Sequence, residues 1–314
     1  MNFRTEIDLE QSKNLIDYNS KIVLLGSCFS ENIGQKLNYF KFQNFINPLG
    51  IFFQPLAIEN LISRAINQNL FSERDVYFHN EQWLSLEAHS SCNKTEKDAL
   101  ITFLNQQLGE TKKQLESATH LIITLGTAWT YFWKETNQPV ANCHKILQKQ
   151  FDKKLLTPSK ITTSLNNIIN LIQTVNPTVA IVFTVSPVRH IKDGIVENTR
   201  SKSHLLTAVH QVVEENRDCS YFPAYEIVND DLRDYRFFEK DLVHPNEMAI
   251  DYIWEQFKMA YINSNTETVL KQVETVQRGL SHRTFNPESK GHQQFLANLE
   301  QKKNALKSNY NITF

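Results

Sequence analysis

Charge of a prevailing sign is missing from this 314-residue chain: 33 Lys and Arg stand against 34 Asp and Glu, a formal net charge of -1. That balance provides no long-range attraction toward a nucleic-acid backbone or acidic lipid, so neither is an expected partner. No apolar run reaches membrane-spanning length. The opening residues, MNFRTEIDLEQSKNLIDYNS, lack the apolar stretch and small-residue cleavage site of a secretory signal. A cytoplasmic protein without membrane association is the expectation. Cysteine is sparse: Cys28, Cys92, Cys143 and Cys219 form no C-x-x-C pair, which argues against a disulfide framework and a zinc knuckle. Internal repeats and low-complexity segments are absent too, and nothing in the chain speaks to its oligomeric state.

What is present is an ordinary globular composition, 41% hydrophobic, in a chain long enough to bury a large core. Apolar runs rich in Ile, Val and Phe recur at KIVLLG (21–26), FQNFIN (42–47), HLIITLG (120–126) and TVAIVFTVS (178–186). Such unbroken runs suit strands buried on both faces of a parallel sheet. Helical spacing fills the intervals, as in PLAIENLISRAINQ and PSKITTSLNNIINLIQTV. The alternation predicts an α/β fold, a parallel sheet with helices on both faces. Two stretches, 75–89 and 128–146, alternate like hairpin strands and read as insertions able to wall a pocket. The expected organisation is one domain over 1–285 carrying these hairpins, then a polar helical tail over 286–314 lying on the domain or on a partner.

In open α/β sheets the ligand crevice lies beyond the carboxyl ends of the strands, where KIVLLGSCFSENIGQKL turns from strand to helix. Gly26 permits a sharp turn, and the N-terminus of the following helix would lower the pKa of a nearby thiol and stabilise an oxyanion. Either Ser27 or Cys28 could use that field. The base such a nucleophile needs has its clearest candidate in EKDLVHPNEMA, where Asp241 and His244 are three residues apart. In a tight turn the carboxylate can hold one imidazole nitrogen and leave the other to take a proton.

VLLGSCFSENIG together with DLVHPN resembles the GSCFA family, a bacterial group related in layout to the SGNH (GDSL-type) hydrolases. NPLGIFF, TLGTAW, NCHK, VSPVRH and YFPAYEIVNDDLRDYRFFEKDLVHP are similar to the same family. The resemblance spans most of the chain. It implies a three-layer, flavodoxin-like SGNH fold and an ester hydrolase or acyl transferase working through a covalent acyl-enzyme. Its substrate would be a small-molecule or carbohydrate ester, O-acetyl esters among them, or a thioester. In that register Gly-Asp-Ser-Leu falls on Gly26-Ser27-Cys28-Phe29, so the nucleophile falls on Cys28, with Ser27 in place of the usual Asp. The oxyanion glycine falls on Gly50, and the terminal pair on Asp241 and His244. Cofactors are not required.

One block departs. Where SGNH enzymes read Gly-x-Asn-Asp, this chain has Gly126-Thr127-Ala128-Trp129, and Ala128 has no side-chain donor. Loss of an oxyanion donor costs a hydrolase roughly a hundred- to a thousandfold in rate, so Asn142, His144 or the Trp129 indole is expected to replace it. Otherwise the chain is a weak or inactive binding module for an acylated or carbohydrate ligand. His144 beside Cys143 invites a metal reading, but adjacent strand residues point to opposite faces, and no metal site is expected. After the fourth strand, SPVRHIKDGIVENTRSKSHL gathers Arg189, His190, Asp193, Asn198, Arg200 and Lys202. That polarity suits substrate positioning, with Arg189 or Arg200 able to hold a carboxylate or phosphate.

Overall fold

A computed structural model describes residues 4–314. Five strands, β1 (Lys21–Gly26), β2 (Gln43–Ile46), β5 (His120–Leu125), β9 (Ala180–Val185) and β10 (Cys219–Phe222), form one parallel sheet in the order β10-β9-β5-β1-β2. The chain runs from β1 outward to β2, then crosses to β5 and continues through β9 to β10. Its direction of travel therefore reverses beside β1, which puts the crevice of a flavodoxin-like sheet at the carboxyl ends of β1 and β5.

Side chains of these strands alternate between two cores, as the period of two requires. Val23, Leu25, Leu121, Ile123, Ile181 and Phe183 join the helices α2 (Pro55–Asn67), α3 (Lys97–Ser117), α4 (Pro158–Val175) and α5 (Ile195–Glu215). Ile22, Leu24, Ile122, Val182 and Phe222 face the other way, onto α1 (Cys28–Tyr39), the short α6 (Ala224–Glu226) and α7 (Glu247–Tyr261). The sheet is thus covered by helices on both faces, and its strands read as continuous apolar runs because neither face meets water.

A hairpin of β3 (Tyr77–His79) and β4 (Gln82–Leu84) and an antiparallel trio of β6 (Trp129–Trp133), β7 (Gln138–Val140) and β8 (Phe151–Leu155) stand on this frame. Leu84, Leu86, Val140 and Phe151 form a small core between them. Helices α8 (Glu267–Ser281) and α9 (Lys290–Tyr310) make a third core of their own through Val269, Val273, Val276, Leu299 and Leu306. Among the described residues no helix is long and apolar enough to cross a membrane.

Candidate active site

The elbow begins where β1 runs out of room. Gly26 has φ +136°, and a Cβ there would lie 2.1 Å from Thr124 O on the neighbouring β5, so only glycine fits the turn. Its N–H donates to Asn47 Oδ1 (2.9 Å), while its carbonyl accepts from Phe52 N–H (2.8 Å). The strand end is thereby tied to the Asn-Pro-Leu-Gly loop. Ser27 is the N-cap of α1 with extended backbone, and its carbonyl accepts from Ser30 N–H (2.8 Å). Its hydroxyl is fully buried with no hydrogen-bond partner. Cys28 is the first helical residue and is half-buried, with its thiol against the N–H groups of Cys28 and Phe29. Of the two adjacent residues, Cys28 is the one that reaches toward solvent.

The Asp241–His244 turn is fully formed. Asp241 Oδ2 receives His244 Nδ1–H (2.7 Å), and Oδ1 accepts the N–H groups of His244 (3.0 Å) and Val243 (2.9 Å). These donors, the His244 N–H first, hold the carboxyl at about 2, below its ordinary range. The pairing fixes the His244 tautomer and leaves Nε2 with its lone pair free. Leu242 takes φ +58° to close the turn, and Asn246 caps α7 by accepting from Ala249 N–H (3.1 Å). No hydrogen bond joins Cys28 to His244 among the described residues; such bonds commonly tighten only with substrate bound.

Arg189 braces that turn. Its N–H donates to Val243 O (3.2 Å), its guanidinium to Leu242 O (3.3 Å), and the guanidinium lies 4.1 Å from the centre of the Phe238 ring. Its planar donors are thus directed at backbone. Next to it, His190 donates its N–H to Asn198 Oδ1 (2.8 Å), and its ring meets Phe53 edge-on at 5.3 Å. His190 Nε2 is buried without a partner. It lies 3.1 Å from where a Gly126 Cβ would be, with Ser27 Cβ 3.2 Å from the same point. Gly126 thus leaves just enough space for His190 and the elbow to approach each other. Burial first, then the charges of Lys202 and His244, push the His190 imidazole down to about 3, so it is neutral in ordinary buffers.

Apart from Asn142, the remaining expected donors are already engaged. Gly50 N–H donates to Asn47 O (2.8 Å), and its φ of +79° and the 2.4 Å from a would-be Cβ to His89 Cβ explain the glycine by turn and packing. His144 is buried, its Nε2 facing Ser85 O (2.8 Å) and Ala88 O (3.0 Å), which knits the loop after β7 to that after β4. The Trp129 indole faces Glu197 O (3.4 Å). Gly126 and Thr127 N–H both donate to Phe53 O (2.8 Å each), and Ala128 N–H to Ser201 Oγ (2.7 Å). Asn142 accepts the His144 N–H through Oδ1 (2.8 Å). With Trp129, Tyr131, Arg189 and His190, Asn142 lines a cavity of about 440 Å³, whose lining includes neither Cys28 nor His244.

The GSCFA family pattern matches residues 21–257, from the first residue of β1 into α7. The chain belongs to the GSCFA family. A second pattern, that of the GSCFA domain protein C-terminal domain, matches residues 273–313 and so spans most of α8 and α9. No curated protein matches the chain. Among solved structures it is similar to a carbohydrate esterase family 3 protein from Talaromyces cellulolyticus, with 10% identity and a TM-score of 0.36, covering 80% of this chain and 98% of that one. A mutant acetyl esterase with acetate ion is similar at 10% identity and a TM-score of 0.36, covering 81% and 99%. At these values neither bears on what this GSCFA chain does.

One member of the polar segment expected to position substrate is instead enclosed in the body of this GSCFA protein. Lys202 lies on α5, is 1% exposed, and donates through Nζ to Gly126 O (2.7 Å) and Ser186 O (2.6 Å). The signal was spacing: Asn198, Ser201 and Lys202 continue the buried stripe of Leu205, Ala208, Val209 and Val212. Polar residues on an apolar helix face point inward.

Proposed function

We propose that this protein is an SGNH-type ester or thioester hydrolase, or an acyl transferase, with Cys28 as nucleophile, His244 as base and Asp241 as the group that orients it. The observation that carries the reading is the oriented Asp241–His244 pair, braced by Arg189, whose neighbour His190 approaches the elbow that presents the half-buried Cys28 as first helical residue. Cys28 Sγ attacks the substrate carbonyl carbon, its proton passes to His244 Nε2, and the carbonyl electron pair becomes the oxyanion. Collapse expels the alkoxide or thiolate, which takes the proton from His244. Water, or a hydroxyl of an acceptor, then attacks the resulting thioester and regenerates the thiol.

The missing Asn is replaced, in this reading, by His190. A neutral imidazole donates a hydrogen bond without carrying charge, and its unpartnered buried Nε2 is available to a developing oxyanion. The Cys28 N–H at the start of α1 supplies a second donor. The substrate is a small-molecule or carbohydrate ester, the protein works in the cytoplasm without a cofactor, and residues 286–314 serve as a tail packed on the 1–285 body.

The test is turnover of a nitrophenyl acetate. Cys28→Ala is expected to lower it about a thousandfold or more, Ser27→Ala to leave most of it, and Cys28→Ser to leave a slower enzyme that depends more on His244. An inactive Ser27→Ala beside an active Cys28→Ala reverses the assignment. The engaged N–H groups of Gly126, Thr127 and Ala128 favour the second reading, a binding module for an acylated or carbohydrate ligand. Undiminished ligand binding with no turnover by the wild-type protein would establish it.

A further inference from the structure

The cavity of about 440 Å³ that Asn142 lines has the volume of a small-molecule site. Trp129 and Tyr131 reach it from the same face of β6, two residues apart, and Phe53 reaches it from the loop before α2. Every lining residue with a side-chain oxygen already receives a donor from the chain itself. Leu56 N–H donates to Gln54 Oε1 (2.7 Å), His144 N–H to Asn142 Oδ1 (2.8 Å) and Trp129 N–H to Thr127 Oγ1 (3.1 Å). The Tyr131 hydroxyl accepts from Gln148 Nε2–H (3.2 Å), and the Asp193 carboxylate is paired with Lys153. The groups left over are donors. Gln54 is 4% exposed, and its Nε2 has no partner. The Asn142 amide nitrogen makes no hydrogen bond among the described residues, and Lys192 is exposed with no ion pair among them.

A donor enclosed without an acceptor is costly, and a ligand that brings acceptors removes the cost. Charge points the same way: Lys153, Arg189 and Lys192 line the cavity against Asp193 alone, a local positive excess in a chain whose net charge is -1. Lys153 lies opposite Tyr131 on β8, with Nζ 4.9 Å from the centre of the Trp129 ring and 5.3 Å from that of Tyr131, so its charge is held over the aromatic wall. Arg189, fixed on Leu242 O, adds a second stationary charge. We propose that this cavity binds the anionic group, a carboxylate or a phosphate, of the molecule on which the elbow acts. Its aromatic lining suits an apolar or flat body next to that group. The link to the elbow is His190, which lines the cavity and whose Nε2 shares with Ser27 Cβ the space over the Gly126 Cα. In its chemistry the inference rests on the hydrolase or transferase reading above: the ester is an acidic one, its anion held among Lys192, Asn142 and Gln54 while its carbonyl extends past His190 to Cys28. No bond is made or broken in the cavity.

Binding is measured without turnover, by calorimetric titration of the full chain with benzoate, with its uncharged isostere benzamide and with inorganic phosphate. Benzoate or phosphate is expected to bind, and benzamide about tenfold more weakly than benzoate or worse. Tighter benzoate identifies the anion as a carboxylate, tighter phosphate as a phosphate. Asn142→Asp keeps the oxygen that accepts His144 N–H and turns the free donor into a second carboxylate oxygen; it is expected to weaken the better anion about tenfold or more. Should Asn142→Asp fail to fold, Lys192→Gln decides, because that side chain is exposed: its expected loss is about two- to fivefold. Equal affinity for benzoate and benzamide, no saturable binding of either anion, or anion binding unmoved in a folded Asn142→Asp protein overturns the proposal. Anion binding that Asn142→Asp abolishes, in a protein that turns over no ester, would keep the cavity's role and discard the hydrolase. Cys28-dependent turnover in a protein that treats benzoate and benzamide alike would do the reverse.

Discussion

His190 and His244 are both imidazoles near one crevice, yet their surroundings assign them different work. His244 is about half exposed, with an ionised carboxylate on Nδ1. His190 is enclosed, with Lys202 nearby and Asp193 as the weaker opposing charge. A histidine held at about 3 when folded and at its ordinary value near 6.5 when unfolded makes stability depend on acidity. Between those values the unfolded chain takes up a proton that the folded one refuses. The contribution is therefore complete above pH 6.5 and is lost as pH falls toward 3, by about 1.4 kcal/mol per pH unit. Urea unfolding of wild type and His190→Phe at pH 6.5 and pH 4.5 is expected to show the wild type losing more stability than the variant over that interval. Parallel losses would mean that His190 is solvated. The interval lies above the range where Asp241, depressed to about 2 from 3.8, begins to take up protons.

Elements announced themselves in the sequence according to how local their causes are. The Asp241–His244 turn was legible because its contacts span a few residues, and the Gly26-Ser27-Cys28 elbow because its residue types name a strand-to-helix turn even though its ties reach Asn47 and Thr124. Strand β10, CSYF, was not: it is four residues long and mixes Ser and Tyr with its apolar positions. Nor was β8, FDKKL, which pairs with β6. The brace from Arg189 to Leu242 and the grip of Lys202 on Gly126 cross 53 and 76 positions, and no spacing rule reaches so far. Glycines show the same divide between local and tertiary causes. Gly26→Ala must move β5 backbone and adopt a left-handed-side φ, at a cost of about 2 kcal/mol or more. Gly109, inside α3, has nothing within 4 Å of an added Cβ. Gly109→Ala is expected to raise stability by about 0.5–1 kcal/mol through helix propensity. Thermal unfolding of the two variants checks both signs, and a neutral Gly26→Ala would mean the elbow is less constrained than its geometry requires.

Across the whole molecule, the α8–α9 hairpin is attached far from the chemistry. Most of its core is its own, although Leu270 of α8 packs into the cluster around α1 and α7, and Leu299 approaches so closely that a Cβ on Gly279 would lie 2.6 Å from a Leu299 methyl. It joins the body through Leu270 and Tyr18, through Gln277 Nε2–H donating to Tyr39 O (2.6 Å), and through Lys41 over the Phe314 ring at 4.9 Å. Tyr39 ends α1 and Cys28 begins it. Eleven helical steps at 1.5 Å place the two about 16 Å apart along the axis. Truncating Leu306, 1% exposed in that core, to alanine removes buried methyl groups and leaves a cavity, at a cost of about 2–5 kcal/mol. The loss should appear as local opening, because few contacts tie the hairpin to the sheet. Leu306→Ala is expected to speed proteolysis in the exposed 282–289 connection while kcat for an activated ester stays within about twofold of wild type, since α1 is fixed independently by Phe29, Ile33 and Leu37 against the sheet. A large fall in kcat without faster proteolysis would mean that the hairpin takes part in the catalytic site and that its position at the far end of α1 misstates its role.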